Sequence, residues 1–336
     1  MNGKRTSSVP SAFLAIDDRR VVRAACGADG NWQVDCVLDG PAPVTLAADP
    51  SSPDRLYAGC QGHGVFTSAD QGQTWHSLGL AGRVVKAIAV SPHDPRTIYA
   101  GVKPAALYKS TDGGQSWLEL EGFRRIPFRW WWFSPAESPF RAYVNALAVS
   151  PTEPEVVLAG IELGAVVRSE NGGRSWSRHR PGALRDCHSL GFHQRDGRWV
   201  YEAGGTGGGA AVSRDGGRAW NQPKSGLAKK YGVTCAADPE RPEVWYVALA
   251  PSPARAYGKD AAAYLYRASA GAGWEPIGWE PHPLGQMPRA LVTRPGAPGH
   301  LFAGTTYGDV WHTADYGDTW QRLPFNLGGG LSLLVL

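Results

Sequence analysis

The chain has 336 residues, with 34 Lys and Arg against 30 Asp and Glu and a net charge of +4. That balance, with no basic cluster beyond pairs such as Arg124-Arg125 and Lys229-Lys230, excludes a generic nucleic-acid coat. No apolar run approaches the roughly 18 residues of a membrane-spanning helix, and the stretch Phe13 to Ile16 behind Lys4 and Arg5 is too short for a signal peptide. The 43 glycines and 26 prolines are spread along the chain, which predicts many short strands with tight turns and no linker. Five scattered cysteines, Cys26, Cys36, Cys60, Cys187 and Cys235, predict free thiols in a reducing, cytoplasmic setting.

In chain order, three short strands come first: Phe13 to Asp17, Arg20 to Ala25 and Trp32 to Val37. From Val44 a unit repeats. It opens on an apolar strand (VKAIAV from Val85, VNALAV from Val144, CHSLGF from Cys187) and passes through a proline-bracketed turn (SPHDP, SPTEP, DPERP, RPGAP). A second strand follows (TIYAG, EVVLAG), then a short loop, a third strand (GVFTS, AVVRS), and a polar turn leading into a fourth. Strands carry β-branched and aromatic residues, and turns carry Gly, Pro, Asp and Ser. Units occupy about 44–80, 85–122, 144–180, 187–227, 232–280 and 288–325, with 123–143 as an insertion. The segment at about 13–39 lacks an innermost strand, and the C-terminal 331–336 (LSLLVL) has the pattern of one with no unit behind it. Pairing the two completes a seventh blade and removes the free sheet edges. The predicted fold is all-β, a single domain over 1–336, a seven-bladed β-propeller of four-stranded antiparallel blades.

The polar turn recurs five times: SADQGQTW from Ser68, STDGGQSW from Ser110, SENGGRSW from Ser169, SRDGGRAW from Ser213 and TADYGDTW from Thr313. The last interval is wide enough to hold a unit whose copy has decayed. A period of about 40 to 50 residues with strand-like flanks signals a propeller or solenoid. Asp70, Asp112, Asp215 and Asp315, with Asn171 as a substitute, accept backbone hydrogen bonds in such a turn, glycine permits its positive φ, and tryptophan packs between blades. One copy per blade suits a scaffold and not an active site. In an up-and-down meander these third-to-fourth turns share one face. The second-to-third loops and the links between blades share the other.

The turn resembles the Asp-box, and on it the chain resembles the Asp-box (BNR-repeat) β-propeller superfamily of sialidases, sortilin-type receptors, xyloglucan hydrolases and photosystem II assembly factors. The likeness is broadest with bacterial stand-alone BNR-repeat proteins, and it implies a ligand funnel on the face away from the Asp-boxes. The segment FRRIP, from Phe123 to Pro127, resembles the motif in which sialidases place a carboxylate-binding arginine, here Arg125. It follows the second copy of the turn instead of preceding the first, and sialidases are six-bladed, so a true sialidase is not expected.

Candidate site residues come from the opposite face. Matched positions at the openings of the innermost strands are Val44, Lys86, Asn145, His188, Val233, Arg289 and Leu331. The second-to-third loops offer Gln61, His63, Lys103, Glu162, the run Gly204 to Gly209, Tyr307 and Asp309. Cations for an anionic group beside a carboxylate and an imidazole that titrates near neutrality suit either acid–base chemistry or a salt-bridge network. Glu162 and His188 are the catalytic candidates; Lys86, Asn145, Arg289, His63, Lys103, Tyr307, Arg125 and Trp131 are the ligand-binding candidates. Glu162 is the strongest carboxylate, with Asp309 and Asp186 behind it. His63, His188 and Glu162 mix ligand types that zinc or iron accept, yet no local spacing supports a metal, so none is assigned. Cys60 and Cys187 lie near the same face, as buried structural thiols or as a nucleophile. The insertion carries Trp130, Trp131, Trp132, Phe128, Phe133 and Phe140, which read either as a satellite core or subunit contact, or as an aromatic wall over a ligand. A second excursion, Pro251 to Tyr264, joins the same rim. No motif identifies a cofactor. The expected function is a hydrolase or lyase acting on an anionic, sugar-like or aromatic small molecule, with no nucleic-acid or membrane partner; the alternative is a non-catalytic scaffold for a protein or glycan.

Overall fold

The computed structural model describes residues 10–136, 138–271, 273–329 and 332–336. They form seven antiparallel sheets arranged as a seven-bladed β-propeller. The innermost strands of blades 1 to 7 are Leu333–Val335, Pro43–Asp49, Val84–Val90, Val144–Val149, Cys187–Phe192, Tyr231–Ala237 and Pro288–Val292. Each touches the next, and the seventh touches the first. The two ends of the chain close the ring in blade 1, where Phe13, Leu14 and Ala15 pair with Val335, Leu334 and Leu333. Leu331, matched in sequence to the channel positions of the other blades, lies outside the described residues.

Five blades carry four strands, and blades 4 and 5 carry three among the described residues. In blade 4 the outer segment keeps the hydrogen bond from Ser177 N to Arg168 O, 2.8 Å, and in blade 5 it keeps a bridge between Val212 and Asn221. The wide interval between the last two polar turns does hold a full unit: blade 6 runs from Tyr231–Ala237 through Trp245–Ala250 and Tyr264–Ser269 to Gly273–Ile277.

Alternation along each strand buries one row of side chains against each neighbouring blade, so the core is divided. Seven apolar clusters result, one at each interface between blades. Phe13, Phe302 and Phe325 join blade 7 to blade 1, and Tyr57, Val85 and Ile98 join blade 2 to blade 3. Each such side chain contributes about 1.5–3 kcal/mol on burial, against about 0–1 for an exposed ion pair such as Arg125 with Glu121. Apolar interfaces hold the ring together.

The five tryptophan-ended turns latch blades 2, 3, 4, 5 and 7 each to the blade before it. In blade 2, Ser68 Oγ donates to Asp70 Oδ1 (2.7 Å) and accepts from Gly72 N (2.8 Å), while Thr74 N donates to Asp70 Oδ1 (2.9 Å). Gly72 has φ +80°, and a Cβ there would sit 2.3 Å from Leu14 of blade 1. The same close approach pairs Gly114 with Leu78, Gly173 with Leu120, Gly217 with Leu158 and Gly317 with Ile277. Burial alone would raise Asp70, but the hydrogen bonds from Thr74, Ser68 and Gln73 outweigh it and bring the carboxyl to about 2. A group whose lone pairs are committed to its own turn has no capacity left for a ligand.

Candidate functional site

A single irregularity, repeated around the ring, builds the mouth of the central channel. The pairing of innermost to second strand slips by one residue at the opening end of six blades, between Pro43 and Thr45, Val85 and Ala87, Val144 and Ala146, Cys187 and Ser189, Gly232 and Thr234, and Pro288 and Ala290. A bulge leaves one residue out of the ladder and re-aims its side chain. The six bulged residues are Val44, Lys86, Asn145, His188, Val233 and Arg289, and all of them line one cavity of about 510 Å³. Arg19, in the second-to-third turn of blade 1, completes the ring of cations; sequence reasoning passed over it, although its place in the unit matches that of Gln61 and Glu162. No Asp or Glu lines this cavity among the described residues.

His188 is the most constrained of the six. Its side chain is 6% exposed. Nδ1 lies 2.6 Å from the Gly232 carbonyl, which can only accept, so Nδ1 carries a proton and donates it. Nε2 faces two carboxylates, Asp186 Oδ2 at 3.5 Å and Glu162 Oε2 at 3.6 Å. Burial by itself pushes the imidazole pKa down, but the hydrogen bond and charge of Asp186, the charge of Glu162 and the Gly232 carbonyl reverse that, and the net shift is upward. Gly205 makes room for this arrangement: a Cβ there would sit 2.0 Å from Asp186 Oδ2. Leu163 N donates to Asp186 Oδ1, 3.2 Å, tying the blade 4 loop to the blade 5 strand opening.

Glu162 and Asp186 stand behind His188 and do not line the cavity. Glu162, expected from the sequence to act directly, contacts the imidazole and not the cavity. Asp186, expected to be secondary, makes the shorter contact; its alternate spacing with His188 in Asp-Cys-His was the available signal. The three ligand atoms lie within 4.8 Å of one another, a span that could hold a divalent cation, and His63 is not among them.

The remaining candidates divide. Arg289 lies 4.4 Å from the Tyr257 ring, and burial lowers its pKa from the ordinary value. Tyr257 comes from the excursion after Trp245–Ala250, so that loop does reach the channel, where its hydroxyl is hydrogen-bonded to Tyr231. Lys86 and Lys103 both approach the Tyr143 ring, 5.1 and 5.7 Å from its centroid. Asn145 Nδ2 donates to Cys187 O, 3.2 Å. His63 is exposed and off the cavity wall. Tyr307 donates to Lys259 O, 2.9 Å, and Asp309 is occupied by Arg322, Asn326 and Gln286; both support the rim. Cys60 and Cys187 are buried, and burial raises both thiols, Cys60 to about 12, which makes them poor nucleophiles.

Arg125 pairs with Glu121 on the surface and stays clear of the channel. Of the aromatic insertion, only its last residue, Tyr143, lines the channel among the described residues. Phe123 and Trp132 fold down, 5.7 Å apart, and join the cluster between blades 3 and 4. Trp131 lines a separate cavity, while Trp130, Phe133 and Phe140 are exposed. The anchoring of Phe123 and Trp132 to blade 4 holds the loop over that blade instead of over the ring centre.

No protein-family model and no curated protein matches the chain. Among solved structures it is similar to the GH74 enzyme of Niastella koreensis, with TM-score 0.63 and 16% identity over 83% of this chain and 45% of that one. It is similar to YCF48 bound to D1 peptide, with TM-score 0.57 and 15% identity over 94% of this chain and 86% of that one. The computationally designed Ika8 protein gives TM-score 0.59 and 15% identity over 98% and 92%. At these identities the likeness establishes the propeller fold alone, and the chain spans less than half the length of the GH74 enzyme. Among the described residues, no helix is long and apolar enough to cross a membrane.

Proposed function

We propose that the channel mouth binds a small organic anion, sugar-like or aromatic, and that His188 carries out acid–base chemistry on it of the hydrolase or lyase type. The observation behind this is the cavity wall: Arg19, Lys86, His188 and Arg289 face about 510 Å³ that no carboxylate lines among the described residues. The cations neutralise the ligand's charged group, and Asn145 adds a polar side chain to the wall. Nδ1 stays bonded to Gly232, so the proton exchanged with the ligand is the one on Nε2, which leaves its 3.5 and 3.6 Å contacts with Asp186 and Glu162 to reach the ligand. Glu162 and Asp186 are positioning residues that favour the imidazolium, which donates its proton to a leaving-group oxygen and recovers one from water or carbon. The two carboxylates flank one histidine and do not oppose each other across a ligand, which disfavours two-carboxylate glycoside hydrolysis. We also assign the five latching turns to the Asp-box class, on their shared Ser/Thr, Asp/Asn and Gly hydrogen-bond pattern.

The test is a calorimetric screen of sugar acids and aryl acids against wild type, Arg289→Gln, Lys86→Gln and His188→Gln, with folding followed by circular dichroism. Loss of either cation is expected to weaken binding about tenfold or more. His188→Gln is expected to keep most affinity and lose turnover. Wild-type behaviour in all three would end the reading. Stoichiometric zinc or manganese in the purified protein, lost in His188→Gln, would replace the proton with a metal ion.

A second reading, a non-catalytic scaffold for a protein or glycan, is favoured by the exposed Trp130, Phe133 and Phe140. YCF48, similar in fold, is a protein bound to a peptide. Binding of a partner that survives the channel substitutions and is lost in Trp130→Ala would select it.

A further inference from the structure

A second cavity, of about 660 Å³, lies between the insertion and the loops of blades 4 and 5. Its aromatic wall is Phe128, Trp131 and Trp132, and its polar wall is Arg178, His179, Arg185 and Thr206. We propose that it is a binding site for an aryl anion, a planar aromatic ring bearing a carboxylate or sulfonate. The assignment does not depend on what happens in the channel.

The aromatic wall is built before any ligand arrives. Trp132 is fixed between Phe123, at 5.7 Å, and the Arg129 guanidinium, at 5.7 Å, and Arg129 in turn donates to Ala105 O, 2.5 Å. Gly164 lets the indole approach the backbone, since a Cβ there would sit 3.1 Å from Trp132 Cγ. Trp131, 75% exposed, leaves an indole surface for a ring to cover.

The polar wall selects charge and rejects polyols. His179 is not a third cation: burial, with Arg185 nearby, lowers it to about 4, and its Nδ1 accepts from Val166 N, 3.2 Å. Thr206 Oγ1 already accepts from Arg185 N, 3.1 Å. Arg178 sits 5.6 Å from the Phe128 ring, and among the described residues neither it nor Arg185 has a carboxylate within ion-pair distance. The polar side chains of the lining therefore supply mainly donors, beside aromatic faces. A sugar, whose hydroxyls must donate as well as accept, would leave donors unmatched, whereas an aryl carboxylate or sulfonate only accepts. The volume suits a drug-sized molecule.

The experiment uses 2-naphthoate, its neutral counterpart 2-naphthol, and glucuronate as a sugar anion. Each is titrated into the full chain by calorimetry, with tryptophan fluorescence as a second readout. All arms are run in the Arg289→Gln background, which weakens the channel's own anion binding; there the naphthoate is expected to bind in preference to both and to lose about tenfold in affinity on adding Trp131→Ala or Arg178→Gln/Arg185→Gln. Trp131 and both arginines are surface positions, so these variants are expected to fold; melting curves confirm it. Equal binding of 2-naphthol, preferential binding of glucuronate, or affinity unchanged by Trp131→Ala in that background would each overturn the assignment.

Discussion

The two faces of the propeller use carboxyl groups in opposite ways. On the face of the latching turns, Asp70, Asp112 and Asp315 are held at about 2, with hydrogen bonds outweighing burial at Asp70 and Asp315 and the Ser116 bond leading at Asp112. Behind the channel wall, the acids are buried and gather around one histidine. Asp186 and Glu162 meet His188 at 3.5 and 3.6 Å, and Glu202, fully buried on the second strand of blade 5, has one oxygen with no partner. Repetition and satisfied lone pairs mark a scaffold. A buried cluster of two carboxylates around one imidazole, outside the repeat, is where perturbed titration concentrates.

The most damaging way to break this contrast is at the backbone behind His188. A Cβ on Gly232 would lie 2.0 Å from Gly209 O and 2.8 Å from Gly204 N, groups that cannot swing away. Gly232→Ala is expected to cost at least about 3 kcal/mol in urea unfolding and to remove ligand binding at the channel. A near-neutral result would mean that blades 5 and 6 are not rigidly spaced.

The pH dependence of stability separates the faces next. The turn aspartates have folded pKa values below the ordinary 3.8, so their stabilisation is complete above pH 4 and lost as pH falls toward 2. Glu202 is the reverse. Burial pushes it up from 4.5 to about 8, against the opposing Leu184 N–H, so its contribution is complete below pH 4.5 and lost as pH rises to about 8. His188, also raised, loses its contribution in the same direction above pH 6.5. Between pH 5 and 8 the Glu202 carboxyl alone is expected to lower stability by up to about 1.4 kcal/mol per pH unit, and Glu202→Gln to flatten that limb while leaving the acid limb intact. Parallel alkaline limbs in the two proteins would assign the slope elsewhere.

The smallest effect belongs to the repeated face. Ser68→Ala leaves the buried Gly72 N–H without its acceptor and is expected to cost about 1–2 kcal/mol, with ligand affinity at the channel unchanged. A change in that affinity would show that the two faces are coupled through blade 2.

Much of this molecule was legible in its sequence because its information is local and repeated. The tryptophan-ended turn set the register of each unit, and that register led to seven blades, closure through the two termini, and the six positions Val44, Lys86, Asn145, His188, Val233 and Arg289 that the bulges turn into the channel. What the sequence left open involves contacts between blades. Whether Glu162 acts directly or from behind His188, and which carboxylate lies nearer, depends on where a blade 4 loop meets a blade 5 strand. Arg19 joins the channel through the closed ring, and Tyr257 through an irregular excursion. The aromatic insertion follows no period at all. Its indoles could equally have covered the channel, and only the packing of Phe123 and Trp132 against blade 4 decided that they form a wall of their own. Turn and strand chemistry is decided by residues a few positions apart, whereas a site assembled from several blades is decided by rigid interfaces between residues far apart in the chain, and tertiary packing alone sets that distance.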